Sequence, residues 1–186
     1  MPQSPLGERG VAFLLQGPNI VQLTALLATM TGPSHLILGV AAAILMSKIG
    51  IYDLSPVVLA AAGVGALLPD IEHQSSTIGR RIWPLSILLS KLLGHRGVTH
   101  SLMAVATLFI GLAILAGGFP AWLLALATGY LSHIAGDWLT PAGVPLFWPS
   151  KLRYRSAATL RPGGVVEAGL CGGLVLAAFF LLTAGN

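Results

Sequence analysis

The feature that most constrains this chain is a series of five apolar stretches separated by turn-forming or charged residues. They lie near residues 36–51, 56–68, 98–116, 121–139 and 165–183. The last three approach the roughly 20 residues that an α-helix needs to cross a bilayer, whereas the first two are shorter and can be tilted, re-entrant or joined as a hairpin. Only 9% of the residues are charged, whereas a soluble domain carries about a quarter. We therefore predict an all-α, polytopic membrane bundle of about five spans.

The basic residues indicate how such a bundle would be oriented. If all five stretches cross, the segment before the first stretch and the loops 69–97 and 140–164 lie on one side, and the turns 52–55 and 117–120 lie on the other. Nine of the ten basic residues fall on the first side, namely Arg9, Arg80, Arg81, Lys91, Arg96, Lys151, Arg153, Arg155 and Arg161. Only Lys48 lies near the second side. By the positive-inside rule, we predict that the first side faces the cytoplasm.

Residues 1–30 stand apart from the five stretches. Their apolar part is interrupted by Gly17, Pro18 and Asn19, and Arg9 is offset by Glu8. A signal peptide has a continuous apolar core after a basic segment, so this pattern favours neither a signal peptide nor a clean span. We predict a flexible or interfacial extension over residues 1–30 and a membrane-embedded domain over residues 31–186.

Most of the residues capable of metal or acid–base chemistry map to the predicted cytoplasmic side. They are His35, His73, His95, His100, His133, Asp70, Glu72, Asp137 and Glu167. Ionisable groups inside a span, or flush with its end, are costly and are usually functional. This clustering indicates a functional site at one end of the bundle.

Two predicted helix ends carry motifs with metal-ligand chemistry. In GYLSHIAGDWLT (129–140), His133 and Asp137 are four residues apart and share one helix face, where they can bind a metal or hydrogen-bond each other. In LLPDIEH (67–73), Asp70 is followed by Glu72 and His73, and carboxylates with imidazole suit Zn²⁺, Mn²⁺ or Fe²⁺. A structural His–Asp pair and a solvated helix end are the alternative interpretations.

Two further motifs begin the third and first apolar stretches. HRGVTHS (95–101) puts His100 in the first turn of a predicted helix, and a bend at Gly97 lets His95 fold back to the same point. His35, in TGPSHLILG, begins the first stretch. The alternative for HRGVTHS is a pair of interfacial histidines beside a snorkelling Arg96. Because four helix ends then bring imidazoles and carboxylates together, we predict one or two bound divalent ions, with zinc favoured over manganese or iron.

Together these motifs resemble the YdjM-like family, described as LexA-binding, inner membrane-associated, metal-dependent hydrolases. The matching pieces are TGPSHLILG (31–39), LLPDIEH (67–73), HRGVTHSL (95–102), LSHIAGDWLTPAGVPLFWP (131–149) and GGVVE (163–167). The resemblance implies a hydrolase of the bacterial inner membrane. At the matching motif positions stand His35, Asp70, His95, His100, His133 and Asp137. A weaker similarity in residue types to the zinc-dependent phospholipase C class favours a phosphoester substrate.

The predicted reaction is hydrolysis of an amphiphilic or lipid-like ester by metal-activated water. The predicted metal ligands are His35, Asp70, His100, His133 and Asp137. Other roles fall to Glu72 and His95 as catalytic residues and candidate bases, to Arg96, Arg153 and Arg155 as headgroup binders, and to His73 and Glu167 as supporting residues. Phe147 and Trp148 are predicted to anchor a loop at the membrane interface.

Two other classes of function compete with this one. A non-enzymatic scaffold or regulator would use the same cluster as a closed structural metal site or a His/Asp network, whereas a catalytic site keeps one position open. A metal or proton transporter needs polar groups along its whole depth, but the opposite helix ends offer only Lys48 and Asp53. The expected partner is the lipid bilayer. Despite a pI of about 9.7, no nucleic-acid partner is predicted, because no recognition module is visible.

Overall fold

The computed structural model describes residues 30–72, 76, 81, 84, 87, 98–150 and 152–184, with only the backbone of Glu72. Within these residues it is all-helical. The helices are α1 (Gly32–Lys48), α2 (Pro56–Leu67), a 3₁₀ helix (Leu68–Glu72), α3 (Leu102–Ala116), α4 (Ala121–Trp138) and α5 (Val165–Thr183). The only β pairing among the described residues is an isolated bridge between Val144 and Tyr154. The predicted all-α class is confirmed.

The predicted five-span arrangement is not confirmed. Within the described residues, α5 is the one helix that combines the length and the hydropathy needed to cross a bilayer. Helices α1, α2 and α3 are apolar but shorter than that criterion requires. Length and composition therefore support a membrane crossing for α5 alone among the described helices.

Side-chain caps set where three of the helices begin. Thr31 accepts a hydrogen bond from the Ser34 backbone N–H before α1, and Ser55 does the same for Val58 before α2. Ser101 accepts from the Ala104 backbone N–H, so α3 begins at Leu102 and not at residue 98, where the apolar stretch starts. These side chains satisfy backbone donors that the first helical turn leaves unpaired.

Helix α4 is the centre of the fold and contacts α1, α2 and α3. Its closest neighbour is α2, because glycines let the two backbones approach each other. A Cβ on Gly129 would overlap the Ala62 carbonyl oxygen, and a Cβ on Gly65 would overlap that of Leu126. This is the small-residue packing typical of membrane helices, where no hydrophobic effect drives helices together.

Helix α5 packs differently from the others. Among the described helices it contacts only α1, and of its own residues only Glu167 and Cys171 are buried. Large apolar side chains such as Leu176, Phe179 and Phe180 are more than half exposed. A surface of this size without polar residues is suited to lipid and poorly suited to water.

The segment between α4 and α5 folds back onto the end of α4. Val144 and Tyr154 exchange backbone hydrogen bonds of 2.9 and 2.8 Å. The Leu160 N–H then donates to the Leu139 carbonyl at 2.7 Å, and the Ser156 N–H donates to the Trp138 carbonyl at 2.9 Å. These bonds hold the loop beside the helix end that carries His133 and Asp137.

Candidate metal centre

Five histidine and aspartate side chains from four separate elements meet at one end of the bundle. His35 lies in the first turn of α1, Asp70 in the 3₁₀ helix, His100 just before α3, and His133 and Asp137 near the end of α4. Four of them are at most 2% exposed, and only the Asp70 side chain, at 17%, reaches the surface appreciably. Such burial is costly for polar groups unless they have partners.

Four of these residues face a common point. The His100 and His133 Nε2 atoms are 3.3 Å apart. Asp137 Oδ2 lies 3.5 Å from the former and 3.7 Å from the latter. Asp70 Oδ1 closes the group from the 3₁₀ helix, 3.9 Å from His100 Nε2 and 3.8 Å from His133 Nε2. The HxxxD pair on α4 thus shares one helix face, as its spacing predicts.

His35 occupies a different side of the same cluster. Its ring stacks on His133, with centroids 3.7 Å apart and planes 15° from parallel. Its Nε2 lies 3.4 Å from Asp137 Oδ1, the carboxylate oxygen that faces away from His100. Gly136 makes room for this ring, because a Cβ there would lie 3.2 Å from His35 Nδ1.

Hydrogen bonds outside the cluster orient the two facing imidazoles. The Ala66 carbonyl can only accept, so the 2.7 Å contact fixes the proton of a neutral His133 on Nδ1 and leaves a lone pair on Nε2. His100 Nδ1 is 3.0 Å from Thr99 Oγ1, and the Thr99 carbonyl accepts from the Tyr130 hydroxyl at 2.5 Å. Partners of this kind are typical of metal-ligating histidines.

The residues fit a divalent ion on several grounds. His35 Nδ1 and Asp137 Oδ1 are buried without a hydrogen-bond partner. Two groups of three, His35/His133/Asp137 and Asp70/His100/His133, each bring their ligand atoms within 4.8 Å of one another. Imidazole nitrogen with carboxylate oxygen is a donor set suited to zinc, manganese or iron. A positive ion between the facing imidazoles and carboxylates would offset the cost of burying them.

The other predicted site residues either lie outside the described part of the chain or lie elsewhere in the fold. His73, His95, Arg96 and the side chain of Glu72 lie outside the described residues. Arg153 and Arg155 are exposed on the loop after α4, where their guanidinium groups donate to the Ala142 and Pro141 carbonyls at 3.3 and 3.4 Å.

Glu167 belongs to a second polar contact, between α5 and α1. Its Oε1 accepts from the Thr31 backbone N–H at 3.1 Å and from the Thr31 hydroxyl at 3.2 Å. Its Oε2 accepts from the Gly163 N–H at 2.5 Å. One carboxylate therefore sits at the N-termini of two helices, where negative charge is stabilising. The sequence predicts Glu167 only as a supporting residue of the site, and this contact with α1 could not be predicted from it.

Three residues that help to build the site were missed at the sequence level. Thr99 and Tyr130 support His100, and Gly136 accommodates His35. The only signal for Gly136 is its place on the helix between His133 and Asp137. A residue without a side chain at that place lets a group from another helix approach. Nothing in the sequence distinguishes Tyr130 from other membrane-helix tyrosines.

Comparison with known proteins identifies the family. A family model described as YdjM inner membrane protein matches residues 30–184. The chain belongs to this YdjM family. It is 38% identical over 155 residues to inner membrane protein YdjM of Escherichia coli (strain K12), covering 76% of this chain and 78% of that protein. The YdjM protein of Shigella flexneri matches to the same extent.

A further relative does not carry the YdjM name. Uncharacterized protein YvsG of Bacillus subtilis (strain 168) is 36% identical over 163 residues, which is 84% of this chain and 99% of that protein. No solved structure matches the chain. The resemblance drawn from the sequence motifs is thereby confirmed, and the YdjM names associate the family with the inner membrane. Those names specify no reaction.

Proposed function

We propose that this YdjM-family protein is a multi-pass inner-membrane hydrolase, with a divalent transition metal held by its buried His/Asp cluster. The observation that carries the proposal is the convergence of five histidine and aspartate side chains from α1, the 3₁₀ helix, the start of α3 and the end of α4. Their nearest polar atoms lie 3.3 to 3.9 Å apart in a region almost closed to water. Such an arrangement is expensive to build for packing alone.

The proposed substrate is an amphiphilic ester, with a phosphoester favoured. When bound, the ion would polarise the ester oxygen and acidify a water molecule. Asp70 is the one member of the cluster that is partly exposed, so substrate would approach from its side. Arg153 and Arg155 would hold an anionic headgroup. Glu72 and His95 are the proposed proton acceptors.

The proposed topology has all five helices crossing, with the cluster facing the cytoplasm. Its support is that the helix ends alternate: His35, Asp70, His100 and Asp137 gather at one end, while Lys48 and Asp53 lie at the opposite ends of α1 and α2. Exposed apolar side chains on α3, including Ile114 and Leu115, extend the lipid-suited surface beyond α5.

Cysteine labelling would test this topology. In a Cys171→Ala background, a membrane-impermeant maleimide applied to intact cells should label Asp53→Cys, which is exposed between α1 and α2. Arg155→Cys, equally exposed on the loop after α4, should react only after the membrane is permeabilised. The opposite pattern, or equal labelling of the two positions, would contradict the proposed orientation.

The hydrolase proposal is tested by metal content and ester turnover measured on the same sample. Protein purified in detergent and reloaded with Zn²⁺ should hold stoichiometric metal and hydrolyse a chromogenic phosphodiester or phospholipid in mixed micelles. Asp137→Asn should lose both properties, because it removes the carboxylate that faces two imidazoles. The matched control, Asp53→Asn, alters an exposed carboxylate at the other end and should retain both. A wild type without metal after reloading would refute the proposal.

A second candidate function is favoured by the burial of the cluster. With four members at most 2% exposed, the site resembles a closed structural metal centre in a scaffold or regulator. Metal retained in the wild type and lost in Asp137→Asn, with no turnover of any ester and a large loss of folding stability, would select this candidate over the hydrolase.

A further inference from the structure

The positions of four ligand atoms suggest how many ions the cluster can hold. The atoms are Asp70 Oδ1, His100 Nε2, His133 Nε2 and Asp137 Oδ2, and their five recorded separations are 3.3, 3.5, 3.7, 3.8 and 3.9 Å. Ligands about 2.0–2.1 Å from a tetrahedral zinc ion are separated from one another by about 3.3–3.4 Å. Five of the six distances among these atoms are therefore within a few tenths of an ångström of those in a single four-coordinate site.

The His133 ring can serve only one ion. Its Nδ1 donates to the Ala66 carbonyl at 2.7 Å, so Nε2 is its single available ligand atom. Both candidate groups of three contain His133, and both would have to use this one nitrogen. An imidazole nitrogen has one lone pair, so the two groups cannot describe two separate ions.

The stacking of His35 on His133 excludes His35 from that ion. An imidazole lone pair lies in the plane of its ring, and these planes are 15° from parallel with centroids 3.7 Å apart. An ion in the plane of His133 therefore lies above the face of His35 and out of line with its lone pairs. The ligand atoms of His35, His133 and Asp137 are close enough to share an ion. The orientation of the His35 ring nevertheless directs its lone pairs away from the ion that His133 would bind.

The two carboxylate oxygens of Asp137 face different histidines. Oδ2 faces His100 and His133, whereas Oδ1 faces His35 Nε2 at 3.4 Å. A histidine beside the outer oxygen of a ligating carboxylate can orient that carboxylate from outside the coordination sphere, although this 3.4 Å contact does not form a hydrogen bond in the structure.

We infer that the cluster binds one divalent ion through Asp70, His100, His133 and Asp137, and that His35 is a positioning residue for Asp137. The inference rests on the metal site of the proposed function. It revises the sequence-based expectation in two respects, because His35 is not a ligand and a second ion has no site among the described residues.

Cobalt titration of the full chain in detergent tests the inference, since four-coordinate Co²⁺ gives intense visible bands. The wild type should saturate at one Co²⁺ per chain. His35→Ala should also saturate at one, with the same bands and an affinity weaker by about 10–100-fold, as expected for loss of an outer partner. His35→Asn should recover part of this affinity, because its amide N–H can donate to Asp137 Oδ1. His133→Ala should show no such bands, and circular dichroism would verify folding of each variant.

The possible outcomes separate the inference from the function on which it rests. Two Co²⁺ per chain, or loss of the bands in His35→Ala to the same degree as in folded His133→Ala, would overturn the inference and leave a hydrolase possible. One Co²⁺ with the predicted His35 behaviour but no ester turnover would uphold the inference and refute the hydrolase. Absence of any Co²⁺ binding would refute both.

Discussion

Helices α4 and α5 are nearly equal in length, yet they are used in opposite ways. Helix α4 has 18 residues, of which eight are buried, and it carries two members of the metal centre. Helix α5 has 19 residues, of which two are buried, and none of them belongs to the cluster. The helix that most resembles a membrane span by composition therefore contributes least to the site. Chemistry resides on the helix whose neighbours can cover polar groups.

The two helices are also attached by different means. Helix α4 is held by backbone contact with α2, where Gly129 meets Ala62 and Gly65 meets Leu126. Helix α5 is held against α1 by the carboxylate of Glu167, which bonds Thr31. Close backbone packing fixes the axial and rotational position of α4, and with it the directions of His133 and Asp137. The contact between α5 and α1 includes no such overlap of backbones among the glycines of α5, so it constrains the position of α5 less.

The largest effect is expected from a methyl group placed between α2 and α4. Gly129→Ala would put a Cβ into the Ala62 carbonyl oxygen and force the helices apart, at a cost of about 1–3 kcal/mol or more. Ion binding should weaken as well, because Asp70 follows α2 while His133 lies on α4. Thermal unfolding in detergent, followed by circular dichroism, would measure the loss of stability.

The matched control lies on α5. A Cβ on Gly172 meets nothing within 4 Å, so Gly172→Ala should leave the unfolding midpoint and the ion affinity nearly unchanged. If the two alanine variants were equally stable, the contrast between a tightly packed α4 and a loosely attached α5 would be wrong.

The sequence predicts the helices well because apolar stretches and turn residues are local signals. Helix α4 spans residues 121–138, against a predicted stretch of 121–139, and α5 matches residues 165–183. The start of α3 differs because the Ser101 cap, and not hydropathy, sets it. The same-face placement of His133 and Asp137 also follows from helical periodicity alone.

The internal geometry of the site is harder to predict because it depends on how helices cross. The contact of His133 with the Ala66 carbonyl and the stacking of His35 exist only once α1, α2 and α4 have their observed rotations. Those rotations follow from glycine contacts that give no periodic signal in the sequence. Residue identity thus predicts which side chains are candidates, and packing decides which lone pairs point at the same place.

A smaller effect is expected at the attachment of α5, where Glu167→Gln would remove the charge that two helix N-termini share. The expected loss is about 1–3 kcal/mol, the usual range for hydrogen bonds to an ionised group. The single cysteine provides a local probe, because Cys171 lies one turn further along α5 and is only 8% exposed. Its reaction with N-ethylmaleimide should accelerate in Glu167→Gln as α5 separates from α1.

The control for this prediction is at the far end of the same helix. Thr183→Val removes a hydroxyl that donates to carbonyls of α5 itself, at Phe179 and Phe180, so it should not change Cys171 labelling. Unchanged labelling in Glu167→Gln would mean that apolar contact with α1 suffices to dock α5. In that case Glu167 would serve mainly the start of α1, where Thr31 precedes His35 by four residues, and its substitution should lower ion affinity without loosening α5.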